Sequence, residues 1–195
     1  MIVQLGRLAD IQIGYQVKGK ITQQADGTHW LVQTSDVTPA GEVAWEALAR
    51  FTPERKDVDR YALTDGDILF LAKGTRRTTA LIRNPQPHTL AVSTFFVLRV
   101  RDEAVVLPEY LAWYLQVGAR DAVAALAHQG VTIPFVSKEA LTDFPVILPD
   151  SATQRRITHL DALLCKERRL TTELLVQRSR LVNALAQRVL AGGGD

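Results

Sequence analysis

The sequence predicts an α+β protein: a mixed-sheet globule over residues 1–150 followed by one long C-terminal helix of coiled-coil type. Three observations carry this. Strand-length apolar runs recur across the first 150 residues, whereas residues 151–190 contain neither Gly nor Pro. The apolar fraction of 47% and charged fraction of 23% are those of an ordinary globular chain, which opposes disorder or a fibrous repeat. A chain of 195 residues has room for one substantial domain and an appendage.

The strand candidates are Trp30–Gln33, Ile68–Ala72, Thr79–Ile82, Val92–Val100 and Phe144–Leu148. They are rich in Val, Ile, Phe and Thr and are bounded by turn formers. Gly66-Asp67 and Asn84-Pro85-Gln86-Pro87 read as turns between them. Pro108–Gln116 reads as a helix with Pro at its first position and Leu111, Tyr114 and Leu115 on one face. The Ala-rich stretch Arg120–His128 continues it to a stop at Gly130. Ser137–Leu141 has the length of one helical turn.

Residues 151–191 form the long helix, and 192–195 a Gly-rich tail. Ser151-Ala-Thr-Gln154 reads as a capping box. At about 1.5 Å per residue the helix spans roughly 60 Å, about twice the width of a 150-residue globule. Leu160, Leu174 and Leu181 fall on a seven-residue spacing, with Leu163 and Leu170 beside them and Leu164, Leu185 and Val189 widening the stripe. A single apolar seam calls for a partner. Folding back on the chain's own domain is one solution. Association with a helix of another chain is the preferred one, because the seam outruns what one globule covers.

Composition excludes several functions. The lone Cys165 allows neither an intramolecular disulfide nor a Cys-based zinc site. No apolar run approaches the ~20 residues of a spanning helix, and Met1–Arg7 has no signal-peptide pattern, so a cytoplasmic location is expected. Asn84-Pro85-Gln86-Pro87 lacks the aromatic of a base-methylating motif. Glu54-Arg-Lys56 has no Pro-Asp pair before it, and there is no Gly-rich nucleotide fingerprint. His29, His88, His128 and His159 show no ligand spacing, so no metal site is expected. Ser93 and Ser137 have no recognisable His–Asp partners. Nothing here argues for an enzyme.

One basic cluster stands out, Lys73-Gly-Thr-Arg-Arg-Thr-Thr79, between two strands. Three cations, three hydroxyls and a Gly suit phosphate and base-edge contacts on double-stranded DNA. A solvated hairpin loop is the alternative. Lys18 and Lys20 beside Tyr15 and Gln16, and the polar loop Gln129–Thr132, are weaker candidates.

The order of several short motifs resembles the target-recognition domain of type I restriction-modification specificity subunits. The elements are Val3–Asp10 with Gly14, His29-Trp-Leu-Val-Gln-Thr-Ser-Asp36, Leu63-Thr-Asp-Gly-Asp-Ile-Leu-Phe70, Pro108–Leu115, Gly130-Val-Thr-Ile-Pro134, and Phe144–Pro149 with Gln154 and Ile157. They span almost the whole chain. Two departures stand out. Pro149–Gln154 lacks the second Pro and the Glu usual before Gln. The sequence also holds one recognition domain and one long helix, where full subunits carry two of each. It therefore resembles a half-subunit.

The resemblance implies a non-catalytic DNA reader. Lys73, Thr75, Arg76, Arg77 and Thr78, then Lys18, Tyr15, Ser35 and Thr132, would contact DNA. Lys73 and Arg76 would mainly hold phosphate, and Arg77 either phosphate or a guanine edge. Leu160, Leu163, Leu170, Leu174, Leu181 and Leu185 would join two copies as a homodimer, so that the target is a palindrome split by a spacer. Methyltransferase subunits would dock along the helices, and a restriction-translocase subunit can join them. The chain itself needs no cofactor; S-adenosylmethionine belongs to the methyltransferase partner. A stand-alone DNA-binding regulator and a protein-only coiled-coil scaffold are the competing readings.

The near-neutral charge of +2 hides an asymmetry. Residues 1–150 carry 15 basic and 17 acidic side chains, whereas residues 151–190 carry 8 and 3. A mildly acidic globule with one basic loop suggests that partner subunits supply much of the electrostatic grip on DNA.

Overall fold

Runs of Val, Ile, Leu and Phe pair into three small sheets. The structure, a computed structural model, describes residues 1–17, 19, 21, 23–54, 57–74, 78–127 and 133–192. In chain order the first elements are β1 (Ile2–Gln4), α1 (Leu5–Leu8), β2 (Ala9–Ile13), β3 (His29–Val32), β4 (Ala49–Phe51), β5 (Ile68–Leu71), β6 (Thr79–Leu81), β7 (Thr89–Ala91) and β8 (Phe95–Val100). They are followed by α2 (Pro108–Trp113), α3 (Arg120–Ala125), α4 (Lys138–Thr142), β9 (Pro145–Ile147) and α5 (Ser151–Gly192). The chain divides into two units, Met1–Arg155 and Arg156–Asp195.

In the first unit, β2-β8-β5-β6 form an antiparallel sheet. A second sheet, β4-β3-β7, is mixed, because β3 runs antiparallel to β4 and parallel to β7. The third is the pair β1-β9, which ties the start of the chain to the segment before α5. β5 is buried at all four positions, as expected for a central strand covered on both faces. Leu69, Leu71, Ala80, Ile82 and Phe95 pack with Val32, Val37 and Ala91 in one core cluster, so the two larger sheets share apolar side chains.

Three expectations are revised. The run Val92–Val100 is not one strand. Val92 N–H bonds to the Val32 carbonyl, Phe95 N–H bonds to the Val92 carbonyl, and the chain passes from one sheet to the other at this turn. Nor is Pro108–His128 one continuous helix. A π-turn at Tyr114–Gly118 separates α2 from α3, and Ala119 leaves helical geometry at φ −126°. A Cβ at Gly118 would lie 3.0 Å from the Trp113 ring, so the turn needs a small residue there.

The third revision concerns the cap of α5. Asp150, not Ser151, takes the Thr153 N–H at 2.8 Å through its carboxylate. The Ser151 hydroxyl instead accepts from Arg155. Gln154 is 1% exposed. Its Oε1 accepts from Leu107 N–H, and its Nε2 donates to the carbonyls of Val105 and Pro149. Three backbone groups of the loop before α2 and the segment before α5 are satisfied by one side chain, so the first turn of α5 belongs to the globule. The short α4 follows expectation: Ser137 caps it by accepting from Ala140 N–H.

α5 runs for 42 residues, or about 63 Å at 1.5 Å per residue. Leu160, Leu163, Leu170, Leu174, Leu181 and Leu185 are each between 50% and 69% exposed. No helix among the described residues is long and apolar enough to cross a membrane.

Candidate nucleic-acid interface

Three loops of the globule are rooted on the turn Val92-Ser93-Thr94 and its flanking residues, and a fourth segment leans on one of them. The Lys18 loop leaves β2 at Gly14 and Tyr15, whose amides bond to the carbonyls of Phe95 (3.0 Å) and Ala91 (2.7 Å). A Cβ on Gly14 would collide with the Val92 carbonyl, so this approach requires glycine. The Thr34–Asp36 turn attaches through the Thr34 and Thr94 hydroxyls, 3.0 Å apart. The basic loop begins where Ala72 and Lys73 amides bond to the Thr94 carbonyl. The segment after the Gln129–Thr132 loop lies against the basic one: Gly74 N–H bonds to the Pro134 carbonyl, Val136 N–H to the Ala72 carbonyl, and Lys73 bridges to Phe135.

The far end of the basic loop is fixed from the π-turn. Gln116 Oε1 accepts from Thr79 N–H at 2.7 Å, and its Nε2 donates to the Pro39 carbonyl at 2.8 Å. π-turns often mark functional positions because they re-aim a side chain. Here the turn aims Gln116 at the start of β6.

Lys73 and Ser35 are both exposed at this edge. The Ser35 hydroxyl donates to Asp36 Oδ1 at 3.1 Å. Lys18, Thr75, Arg76, Arg77 and Thr132 lie outside the described residues.

Two expected contact residues, Tyr15 and Thr78, are buried rather than exposed. Tyr15 is 4% exposed and packs edge-on against Tyr61 and beside Phe51; it anchors its loop from inside. Thr78 is also 4% exposed, and its carbonyl accepts from Leu71 N–H. It extends the β5–β6 ladder from within the globule. Sequence reading missed Thr94 and Gln116, since neither carries a charge or a motif. The helical break beside Gln116 leaves only the small residues Gly118 and Ala119 as a signal.

The turns at the opposite end of β5 and β6 are built from polar side chains. The buried Asp67 carboxylate accepts from Thr64 N–H and from Arg99 Nε and Nη2, the last two at 2.7 Å. That bond to Asp67 raises the Arg99 pKa further. Asp65 accepts from Asn84 N–H and pairs with Arg83. The Asn84 amide is the main cause holding the Asp65 carboxyl below its ordinary range. Asn84, which opens the expected Asn-Pro-Gln-Pro turn, and His88, which directly follows it, both have positive φ.

The histidines are not all scattered. His29, Asp59 and His88 each place a potential ligand atom within 4.8 Å of the others. Burial first, then His88, lowers the His29 pKa below 6.5 against a smaller pull from Asp59. The three positions are about thirty residues apart in sequence, so no spacing rule reveals them.

No family model matches this sequence. No curated protein matches it either. Solved structures do match in fold. One is the S subunit of a type I restriction-modification system from M. genitalium, 12% identical, with a TM-score of 0.58 over 85% of this chain and 39% of that one. A second comes from work on complex assembly and conformational transition of the type I R-M system, 17% identical, with a TM-score of 0.66 over 98% and 48%. A third is the HsdS subunit from Thermoanaerobacter tengcongensis, 19% identical, with a TM-score of 0.60 over 98% and 48%. The chain has the fold of these specificity subunits and spans about half their length or less.

Proposed function

We propose that this chain acts in a non-catalytic, sequence-specific DNA-binding specificity subunit of a type I restriction-modification system, to which it contributes one recognition globule and one long helix. The observation that carries the reading is the fold match over 98% of this chain to 48% of a type I subunit. One globule and one long helix make up the shared half.

In this reading the loops gathered around Val92–Thr94 enter the major groove and read one half of a bipartite target. Lys73 and Arg76 hold phosphate, and Arg77 contacts phosphate or a guanine edge. The leucine seam of α5 pairs with the same seam of a second copy. Support comes from its exposure: large unpaired apolar stripes on soluble chains mark association surfaces. Two-fold pairing presents the same reading head twice, so the target is a split palindrome. Methyltransferase subunits, which use S-adenosylmethionine, dock along the helices, and a restriction-translocase subunit joins in systems that cleave. The complex works in the cytoplasm, where the host chromosome is.

The test is methylome sequencing of cells that express this chain together with its neighbouring methyltransferase. A new modified motif of two inverted half-sites around a fixed spacer is expected. Unchanged methylation, or a contiguous asymmetric motif, overturns the proposal.

A further inference from the structure

His29 opens β3, Asp59 begins the 59–61 turn, and His88 directly precedes β7. Three separate stretches of chain thus deliver two imidazoles and a carboxylate to one spot, with all three ligand atoms within 4.8 Å of one another. The two rings meet edge to face, with centroids 5.2 Å apart. We propose that these side chains form a binding site for a divalent transition-metal ion, zinc foremost, that clips the mixed sheet to the turn beside it.

The donor set fits. Two His nitrogens and one carboxylate oxygen are a known zinc combination that leaves a fourth position for water. The ring chemistry of His29 fits as well. Its Nε2 is buried and has no hydrogen-bond partner among the described residues, an uncommon state for a buried polar atom. Its Nδ1 lies 2.8 Å from the Thr28 hydroxyl. With the proton on Nδ1, that nitrogen donates to Thr28 Oγ1, and the Nε2 lone pair is left for a ligand. This is how an outer hydrogen bond orients a ligating imidazole.

His88 adds a third observation. Its φ of 59° lies in the left-handed region, which is costly for a residue with a Cβ and clusters at ligand sites. A tetrahedral ion with bonds of about 2.1 Å needs donor atoms about 3.4 Å apart. Asp59 and His88 are exposed, so rotation of their side chains can close the remaining gap. The ion would reinforce the β3–β7 pairing at its open end, where Trp30 faces Thr89.

The test uses the full chain, free of any purification tag and stripped with a chelator. Calorimetric titration with zinc should show one bound ion per chain and a thermal midpoint raised by several degrees. Cobalt(II) in its place should give the visible absorption of a four- or five-coordinate nitrogen–oxygen site. Asp59→Asn and His88→Asn should each weaken zinc binding by more than about tenfold while leaving circular dichroism unchanged. Asn tolerates the left-handed backbone at position 88. His159→Asn and Cys165→Ser on α5 should bind zinc like the parent.

Absence of binding, or binding unaffected by both site variants, overturns the proposal. So does loss of the zinc response in the α5 variants alone. If a site variant fails to fold, diethyl pyrocarbonate labelling of the parent chain decides. Zinc should protect His29 and His88, and equal labelling with and without zinc overturns the site.

Discussion

The globule and the helix use the same residue type in opposite ways. In the globule, leucines such as Leu5, Leu31, Leu69, Leu90, Leu98 and Leu111 are essentially inaccessible. In α5, Leu160, Leu163, Leu170, Leu174, Leu181 and Leu185 are at least half exposed. Stability of the first unit is therefore internal, built from burial within one chain. The second unit has an apolar stripe but no core of its own, and most helical stability comes from packing of such a stripe. The lesson is that hydrophobicity alone does not say which surface a residue serves; its position in a sheet or on a long seam does.

The sharpest break of this comparison swaps like for like. Leu111→Ala should cost the globule about 3–5 kcal/mol, read by urea denaturation. Leu174→Ala should change that unfolding by no more than about 0.5 kcal/mol. The double change of Leu174 and Leu181 to Glu should leave a folded monomer by light scattering. A variant that stays dimeric removes the seam from the assembly.

The joint between the units comes next. Gln154→Ala strands the Leu107 amide and the Val105 and Pro149 carbonyls, and should destabilise the globule by about 2–3 kcal/mol. A cost near zero would mean that water replaces the side chain and that the first helical turn is independent of the globule.

A functional contrast is smaller in energy. Arg77→Ala should weaken specific DNA binding by about 1–3 kcal/mol in gel-shift titrations at physiological salt, and relax preference at one base pair if it reads guanine. Unchanged binding would reassign the loop. Substitutions on the exposed face of α5 should leave the intrinsic affinity of one head for a half-site unchanged.

The smallest effect concerns acid. The Asp65 carboxyl is held below its ordinary value of 3.8 by the Asn84 amide. A lowered folded pKa gives stability that is present above 3.8 and lost as pH falls through the folded value. Asp65→Ala should therefore reduce thermal stability slightly at neutral pH, and the difference should vanish towards pH 2.

The long helix, the strand runs at Ile68 and Thr79, and the one-turn α4 were all legible, because each rests on local pattern or a local cap. The start of α5 was legible in place but not in mechanism. Asp150 and Ser151 are both good caps, and only the burial of Gln154 decides between them. Val92–Val100 reads as one strand because nothing local records that the chain changes sheets at Thr94. Tyr15 and Thr78 looked available because a polar atom in a loop gives no sign of which way it points. His29, Asp59 and His88 meet only through the β3–β7 pairing and the turn beside it, contacts that are long-range in sequence.

The roots of the loops gathered around Val92–Thr94 are held mostly by main-chain bonds, to the carbonyls of Ala72, Ala91, Thr94, Phe95 and Pro134. Such bonds are indifferent to side-chain identity. The residues between the roots are therefore free to be exchanged without disturbing the scaffold that presents them. Under the proposed function, a lineage carrying this architecture can acquire a new recognition sequence by recombining short loop segments while the fold stays as it was.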